Sequence, residues 1–290
     1  MTDAVVSLSR GRVAYELLGP ESGEPIVLTP GGRFGKDVPG LRPLAQALAS
    51  GGMRVLMWDR PGGGRSDLQL WGESESHMRA DVLAELLVEL GLAPCVIAGG
   101  SGGARDSLVT VLRHPEVASK LVMWNITGGV FGVINLAAYY LIPTMNAVRT
   151  GGIDTVLRLP EWQQLVERNP RNEAIVRELG ADGLWGVTVR WLDAYVPKPE
   201  QTIPGVRDAS VAEIDLPAMV IRNGENDLDH PKVTSLAVHG LLRGSRLVEP
   251  PWGEDAWERA FNSEIAGTGH MFDPWHEAAP LILEFAAGAS

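Results

Sequence analysis

The sequence predicts an α/β protein, a mostly parallel, doubly wound sheet with a helical cap inserted before its last strands. Three observations predict it. Short apolar runs alternate with helix-periodic stretches from Ile26 to Trp124, the pattern of a sheet covered by helices on both faces. The alternation lapses and then resumes at Ala218. Glycine clusters sit where apolar runs end, on the side where open sheets of this class bind ligands. The expected division is a core of 1–126 and 214–290 with a cap of 127–213.

Taken in order, Val5–Ser9 and Arg12–Leu18 read as a strand pair around Arg10-Gly11. Ile26–Thr29 is a short apolar run ending at Pro30-Gly31-Gly32. Leu41–Ser50 reads as a helix stopped by Gly51-Gly52, and Val55–Trp58 as the next strand. Met78–Leu90 is helix-periodic and ends at Gly91; Cys95–Ala98 is a buried strand, Ser101–His114 a helix and Leu121–Trp124 a strand. Beyond the cap come the strand Ala218–Ile221, the helix Pro231–Leu242, the strand Arg246–Glu249 and a last helix, His276–Ala287. No internal repeat or low-complexity tract interrupts them.

The chemistry concentrates at Gly99-Gly100-Ser101-Gly102-Gly103, between a buried strand and a helix. A serine on a sharp strand-to-helix turn needs small neighbours, because side chains at Gly99 or Gly103 would meet adjacent elements. The helix N-terminus beneath it favours developing negative charge. No Gly-Lys-Ser/Thr follows, so a nucleotide P-loop is excluded.

A serine nucleophile needs a base and an orienting acid, expected on this architecture in the chain order Ser, Asp or Glu, His. Asp227 follows the strand Ala218–Ile221 through a turn at Gly224-Glu225-Asn226, with Asp229 as its competitor. Of the six histidines, His270, in Gly269-His270-Met271 just before the final helix, is the expected base. His230 precedes Pro231 and reads as a helix start. The expected oxyanion donors are the amides of Gly102, which follows the nucleophile, and of Gly32, in the loop after the third strand.

These segments together resemble the α/β-hydrolase superfamily. Asp59-Arg60-Pro61-Gly62-Gly63-Gly64-Arg65-Ser66 is similar to its turn after the fourth strand, Gly99–Gly103 to its nucleophile elbow, Gly224-x-x-Asp227 to its acid segment and Gly269-His270 to its base segment. Two departures stand out. Pro30-Gly31 replaces the family's usual His-Gly, and 250–266, with Trp252, Trp257 and Phe261, is far longer than the few residues relatives carry there. The resemblance implies a hydrolase fold with a Ser101, Asp227, His270 triad and an acyl-serine intermediate. The Gly-Gly-Ser elbow is similar to that of prolyl aminopeptidases, and the Pro-Gly-Gly loop to that of carbon–carbon bond hydrolases of ring-cleavage products. Epoxide hydrolases and haloalkane dehalogenases carry an aspartate at the elbow. An ester or lactone hydrolase is the first expectation, and a small-molecule receptor of the same fold the reading outside enzymes.

Composition bounds the partners. A formal net charge of -11 repels phosphate backbones, so no nucleic-acid partner is expected. The single cysteine, Cys95, sits in an apolar run and cannot form an internal disulfide or a thiolate zinc site. No metal site and no cofactor are expected, since triad hydrolysis needs neither. Met1-Thr2-Asp3 opens without a secretory pattern, which gives a cytoplasmic expectation. The uncharged run Ile126–Val148 carries several glycines and Pro143. It is read as an apolar wall over a pocket for a small apolar substrate, not as a membrane span, and it leaves a homo-oligomer open. Tyr139, Tyr140, Trp162, Trp185, Trp191 and Tyr195 all lie in the expected cap.

Overall fold

The computed structural model describes residues 4–288. One eight-stranded sheet forms the centre, in the order β1-β2-β4-β3-β5-β6-β7-β8. The strands are β1 (Ala4–Leu8), β2 (Gly11–Leu18), β3 (Pro25–Thr29), β4 (Arg54–Trp58), β5 (Cys95–Gly100), β6 (Ala118–Trp124), β7 (Ala218–Ile221) and β8 (Arg246–Val248). β2 runs antiparallel to both its neighbours, and β3 to β8 are parallel.

Period-2 alternation distributes the strands' apolar side chains between two cores. Val27, Ile97 and Val220 pack with α2 (Glu75–Glu89), α3 (Gly102–Arg113) and α9 (Lys232–Leu241) on one face. Leu28, Ala98 and Met219 pack with α1 (Leu41–Ser50) and α11 (Ala279–Ala286) on the other. The strands are short and apolar throughout because both faces are covered. Cys95 is buried and unpaired, and burial pushes its thiol up to about 12.

Between β6 and β7 the chain runs through α4 (Gly129–Tyr140), α5 (Ile142–Val156), α6 (Pro160–Arg168), α7 (Arg171–Asp193) and the short α8 (Asp208–Val211). Ala147, Val156, Trp162, Val176 and Leu184 from these helices build a third core, joined by Leu68 from the turn after β4. Gly129–Arg168 is apolar and long enough to cross a membrane by composition. It is divided instead into three helices, and α5 itself kinks at Gly151 and Gly152.

Three elements differ from expectation. α2 begins at Glu75, three residues ahead of the apolar periodicity, because the Ser74 hydroxyl caps it by accepting from the His77 N–H at 3.2 Å. A 3₁₀ turn, Asp273–Ala278, takes the place of the first turn expected at His276, and α11 starts after it. The long stretch after β8 contains a helix of its own, α10 (Ala256–Ile265), in which only Ala256 and Ala260 are fully buried.

Candidate active site

Ser101 sits between β5 and α3 with φ of 55°. This is the left-handed region, unusual for a residue with a side chain and costly unless its surroundings impose it. They do. The Ser101 N–H donates to Trp124 O at 3.1 Å, and Ser101 O accepts from the Ala104 N–H at 3.0 Å. A Cβ on Gly99 would strike Gly103 O, and one on Gly103 would strike Thr29 O. The glycines flanking the serine are therefore required by backbone packing.

The ring nearest the hydroxyl belongs to His230, not to His270. His230 Nε2 lies 2.8 Å from Ser101 Oγ, and its Nδ1 lies 2.8 Å from Asp227 Oδ2. Asp227 Oδ1 also accepts from the backbone N–H groups of His230, at 2.9 Å, and Asp229, at 3.1 Å. The carboxylate thus folds the chain back on itself, and the tight turn brings a ring three residues later over the end of β7. Both side chains are buried. The chain order Ser, Asp, His is kept, but the carboxylate and the ring come from one turn.

His270 is engaged elsewhere. Its Nδ1 accepts from the Phe272 N–H at 3.2 Å, its Nε2 lies 3.8 Å from Glu264, and its ring meets Phe34 and Phe272 edge-on at 5.5 and 5.2 Å. The expectation that His270 serves the serine is corrected on these contacts. α10 intervenes between β8 and the final helix and turns the Gly269-His270 segment toward Glu264. Asp229 stands apart as well, its carboxylate accepting from Asn135 at 3.3 Å.

The turn that carries Asp227 and His230 is tied on two sides. Asn223 exchanges hydrogen bonds with the backbone of Ile126, at 2.8 and 2.9 Å, and donates to Pro231 O at 3.1 Å. Arg222 pairs with Glu249 and Glu254 in the segment after β8, and the Glu225 N–H donates to Glu254 O at 3.2 Å. Trp257, on α10, places its ring perpendicular to that of His230 with centroids 4.3 Å apart. The long segment after β8 therefore covers the histidine.

Gly32 and Gly102 meet at the nucleophile. A Cβ on Gly102 would stand 3.4 Å from Gly32 N and 3.5 Å from Gly32 O, so the two residues expected to supply donor amides are neighbours. Gly32 adopts φ of 50°, which orients this turn. Arg60, fully buried, fixes it from behind. Its Nη2 donates to the carbonyls of Gly31 and Gly32, both at 2.7 Å, and of Phe34 at 3.2 Å, while Nη1 donates to Asp106 at 2.9 Å. Sequence reading picked out the Asp59-Arg60 turn as a motif but not this reach. A long cation directly after a strand end, near a glycine loop rich in carbonyls, was its only signal.

Among the described residues no three His, Cys, Asp or Glu side chains form a metal-holding group. Of the cap aromatics, Tyr139, Tyr140, Trp162 and Trp191 line a chamber beside the Gly31–Phe34 turn. Tyr139 is largely exposed, and the Tyr195 hydroxyl accepts from Arg105 at 2.8 Å.

No family model matches the chain. Over 112 residues it is 35% identical to a 2-hydroxy-6-oxononadienedioate/2-hydroxy-6-oxononatrienedioate hydrolase of Burkholderia vietnamiensis, a match covering 36% of this chain and 39% of that protein. The chain thus spans about two fifths of that relative's length. In structure it is similar to a meta-cleavage product hydrolase from Pseudomonas fluorescens IP01, with a TM-score of 0.62, 18% identity, and 99% and 98% of the two chains covered. It is also similar to an enol-lactonase from Burkholderia xenovorans LB400, with a TM-score of 0.58, 20% identity, and 91% and 99% covered.

Proposed function

This chain has the α/β-hydrolase fold, and from that premise we propose that it is a serine hydrolase cleaving a small-molecule ester or lactone through an acyl-Ser101 intermediate. The observation that carries the reading is the 2.8 Å approach of His230 Nε2 to Ser101 Oγ at a strained elbow. In the reaction, Ser101 Oγ attacks the acyl carbon and His230 Nε2 takes its proton. Asp227 holds the ring through Nδ1 and stabilises the imidazolium that forms. Negative charge developing on the carbonyl oxygen is met by the Gly102 and Gly32 amides. His230 then protonates the departing alkoxide. Water, deprotonated by the same ring, attacks the acyl-serine and releases the acid and free Ser101.

A second reading, hydrolysis of a carbon–carbon bond in a ring-cleavage product, is favoured by the stretch shared with the Burkholderia vietnamiensis hydrolase. The same nucleophile and donor amides serve it, so substrates must separate the two. A fluorophosphonate probe should label the protein, and Ser101→Ala should abolish both labelling and turnover. Undiminished labelling of that variant would remove Ser101 from the mechanism. A panel of aryl esters, lactones and vinylogous diketones then decides the bond. Turnover of the diketones alone would replace the ester reading with the carbon–carbon one.

A further inference from the structure

The Gly31–Phe34 turn has a second side. Across it from Ser101 lies a chamber of about 510 Å³, walled by Arg33, Phe34, Tyr140, Glu75, Arg79 and Trp162. The turn is thin. A Cβ on Gly31 would lie 3.0 Å from Ser101 Cβ, and one on Gly32 would lie 3.0 Å from the Tyr140 hydroxyl.

The charges behind this wall do not balance. Arg33 lies 3.1 Å from Glu75 and stacks on Tyr140 at 4.9 Å. Arg79 donates to Glu75 at 2.7 Å and to Asp106 at 3.4 Å, and Asp106 is also the partner of Arg60 at 2.9 Å. Arg105 reaches Ser76 and Tyr195, both neutral partners, at 2.9 and 2.8 Å. Four guanidinium groups thus share the carboxylates of Glu75 and Asp106, and two positive charges are unmatched. Arg60, Arg79 and Arg105 are buried, where unpaired charge is costly. The remaining charged wall groups, Glu161 and Arg168, cancel each other. Glu75 is already ionised, held at about 2 by the surrounding arginines, and burial pushes the Tyr140 hydroxyl up to about 12, so neither supplies further negative charge. Arg60 is drawn down by burial to about 10 and stays charged at neutral pH. This cationic cluster lies in a protein of net charge -11.

We propose that the chamber seats a carboxylate carried by the substrate, held by Arg33 and Arg79, with the apolar part of the acyl chain against Phe34 and Trp162. Its description as a substrate subsite rests on the serine-hydrolase reading; the anion site itself does not. A single carboxylate on an apolar chain suits the mixed wall, because the planar guanidinium groups of Arg33 and Arg79 pair well with it.

Two measurements test this. The first compares p-nitrophenyl hemiesters of glutarate, adipate and pimelate with neutral p-nitrophenyl esters of matching length. The best hemiester should exceed its neutral match at least about tenfold in kcat/KM, mainly through KM, and added NaCl should reduce that ratio. The second titrates adipate calorimetrically into the wild type, Arg33→Gln and Glu75→Gln. Arg33→Gln should weaken binding about tenfold and Glu75→Gln should tighten it, since the two changes shift the local charge in opposite directions. Binding that falls in both variants, or no adipate binding by the wild type, overturns the proposal. If no ester is turned over yet adipate binds with opposite-signed effects, the anion site stands and the ester reading falls. If esters are cleaved with no preference for hemiesters, the hydrolase reading stands and the subsite falls.

Discussion

The turn after β7 and the segment after β8 divide the work of this site unequally. The first, 222–230, is short and holds both the acid Asp227 and the ring His230 that reaches Ser101. The second, 249–272, is long, contains a helix and an available histidine, and directs neither ring nitrogen of that histidine to the serine. Instead it grips the first through Arg222 with Glu249 and Glu254, and through Trp257 against His230. The difference teaches that a Ser–His–Asp arrangement is recognised by its geometry, and that the segment expected to supply the histidine can instead support one supplied from elsewhere.

The largest expected effect separates the two histidines. His230→Ala should lower kcat on the order of 10⁴-fold or more, as loss of a triad base does elsewhere, whereas His270→Ala should stay within about tenfold of the wild type. If His270→Ala is the inactive variant and His230→Ala turns over normally, the comparison is reversed and the base belongs to the segment after β8.

Next comes the acid. Asp227→Asn keeps a side chain able to hold the ring but favours the wrong tautomer, a change that costs about 10⁴-fold in a serine protease. A loss of that order in steady-state turnover is expected here, while Asp229→Asn, whose carboxylate meets Asn135 rather than a histidine, should lose far less. Equal losses in both would show the whole turn, rather than one carboxylate, to be what matters.

A smaller effect is expected at the support. Trp257→Ala removes the ring packed against His230 and should cost about tenfold in kcat with KM little changed, since misplacing a base slows chemistry more than binding. Trp257→Phe should recover most of it. A KM-only effect would make Trp257 a wall of the substrate site rather than a brace for the base.

The smallest concerns the ion pairs between the two segments. The Arg222 guanidinium holds the carboxyls of Glu249 and Glu254 below their ordinary range. Because the folded values are depressed, their stabilising contribution is present above the ordinary carboxylate pKa and lost as pH falls through the lower folded values. Both glutamates are substantially exposed, so solvent screens them. Glu254→Gln should lower Tm by only a degree or two at neutral pH, as expected for an exposed pair, and by nothing measurable once the medium is acid enough to protonate the wild-type side chain. A larger neutral-pH shift would mean that the clamp holds the fold as well as the site.

Much of this is legible in the sequence. The strands were visible because both faces are buried, so Val27-Leu28 and Met219-Val220 stay apolar whichever way they point. The elbow was visible because Gly99 and Gly103 answer a backbone constraint that no other residue meets. His230 was not legible as the base. An Asp-x-x-His-Pro segment looks like an ordinary helix start, and only the hydrogen bonds of Asp227 to the following backbone turn the ring around. α10 was missed although Trp257, Phe261 and Ile265 are spaced four apart, because the resemblance leads one to expect only a few residues between the last strand and the base segment. The charge surplus behind the oxyanion turn lay in four arginines from four places in the chain, and no linear pattern assembles them.

One feature of the acid–base turn bears on how the site forms. Asp227 and His230 are three residues apart, whereas His230 and Ser101 are separated by 129. Closing so small a loop costs little chain entropy, so the carboxylate–imidazole pair can form as soon as its own turn does. One distant approach then completes the relay, where an acid and a base on separate loops would need two. The pair is in effect a cartridge: a shift of the turn that carries it leaves the inner hydrogen bond intact and changes a single distance, the one to the serine.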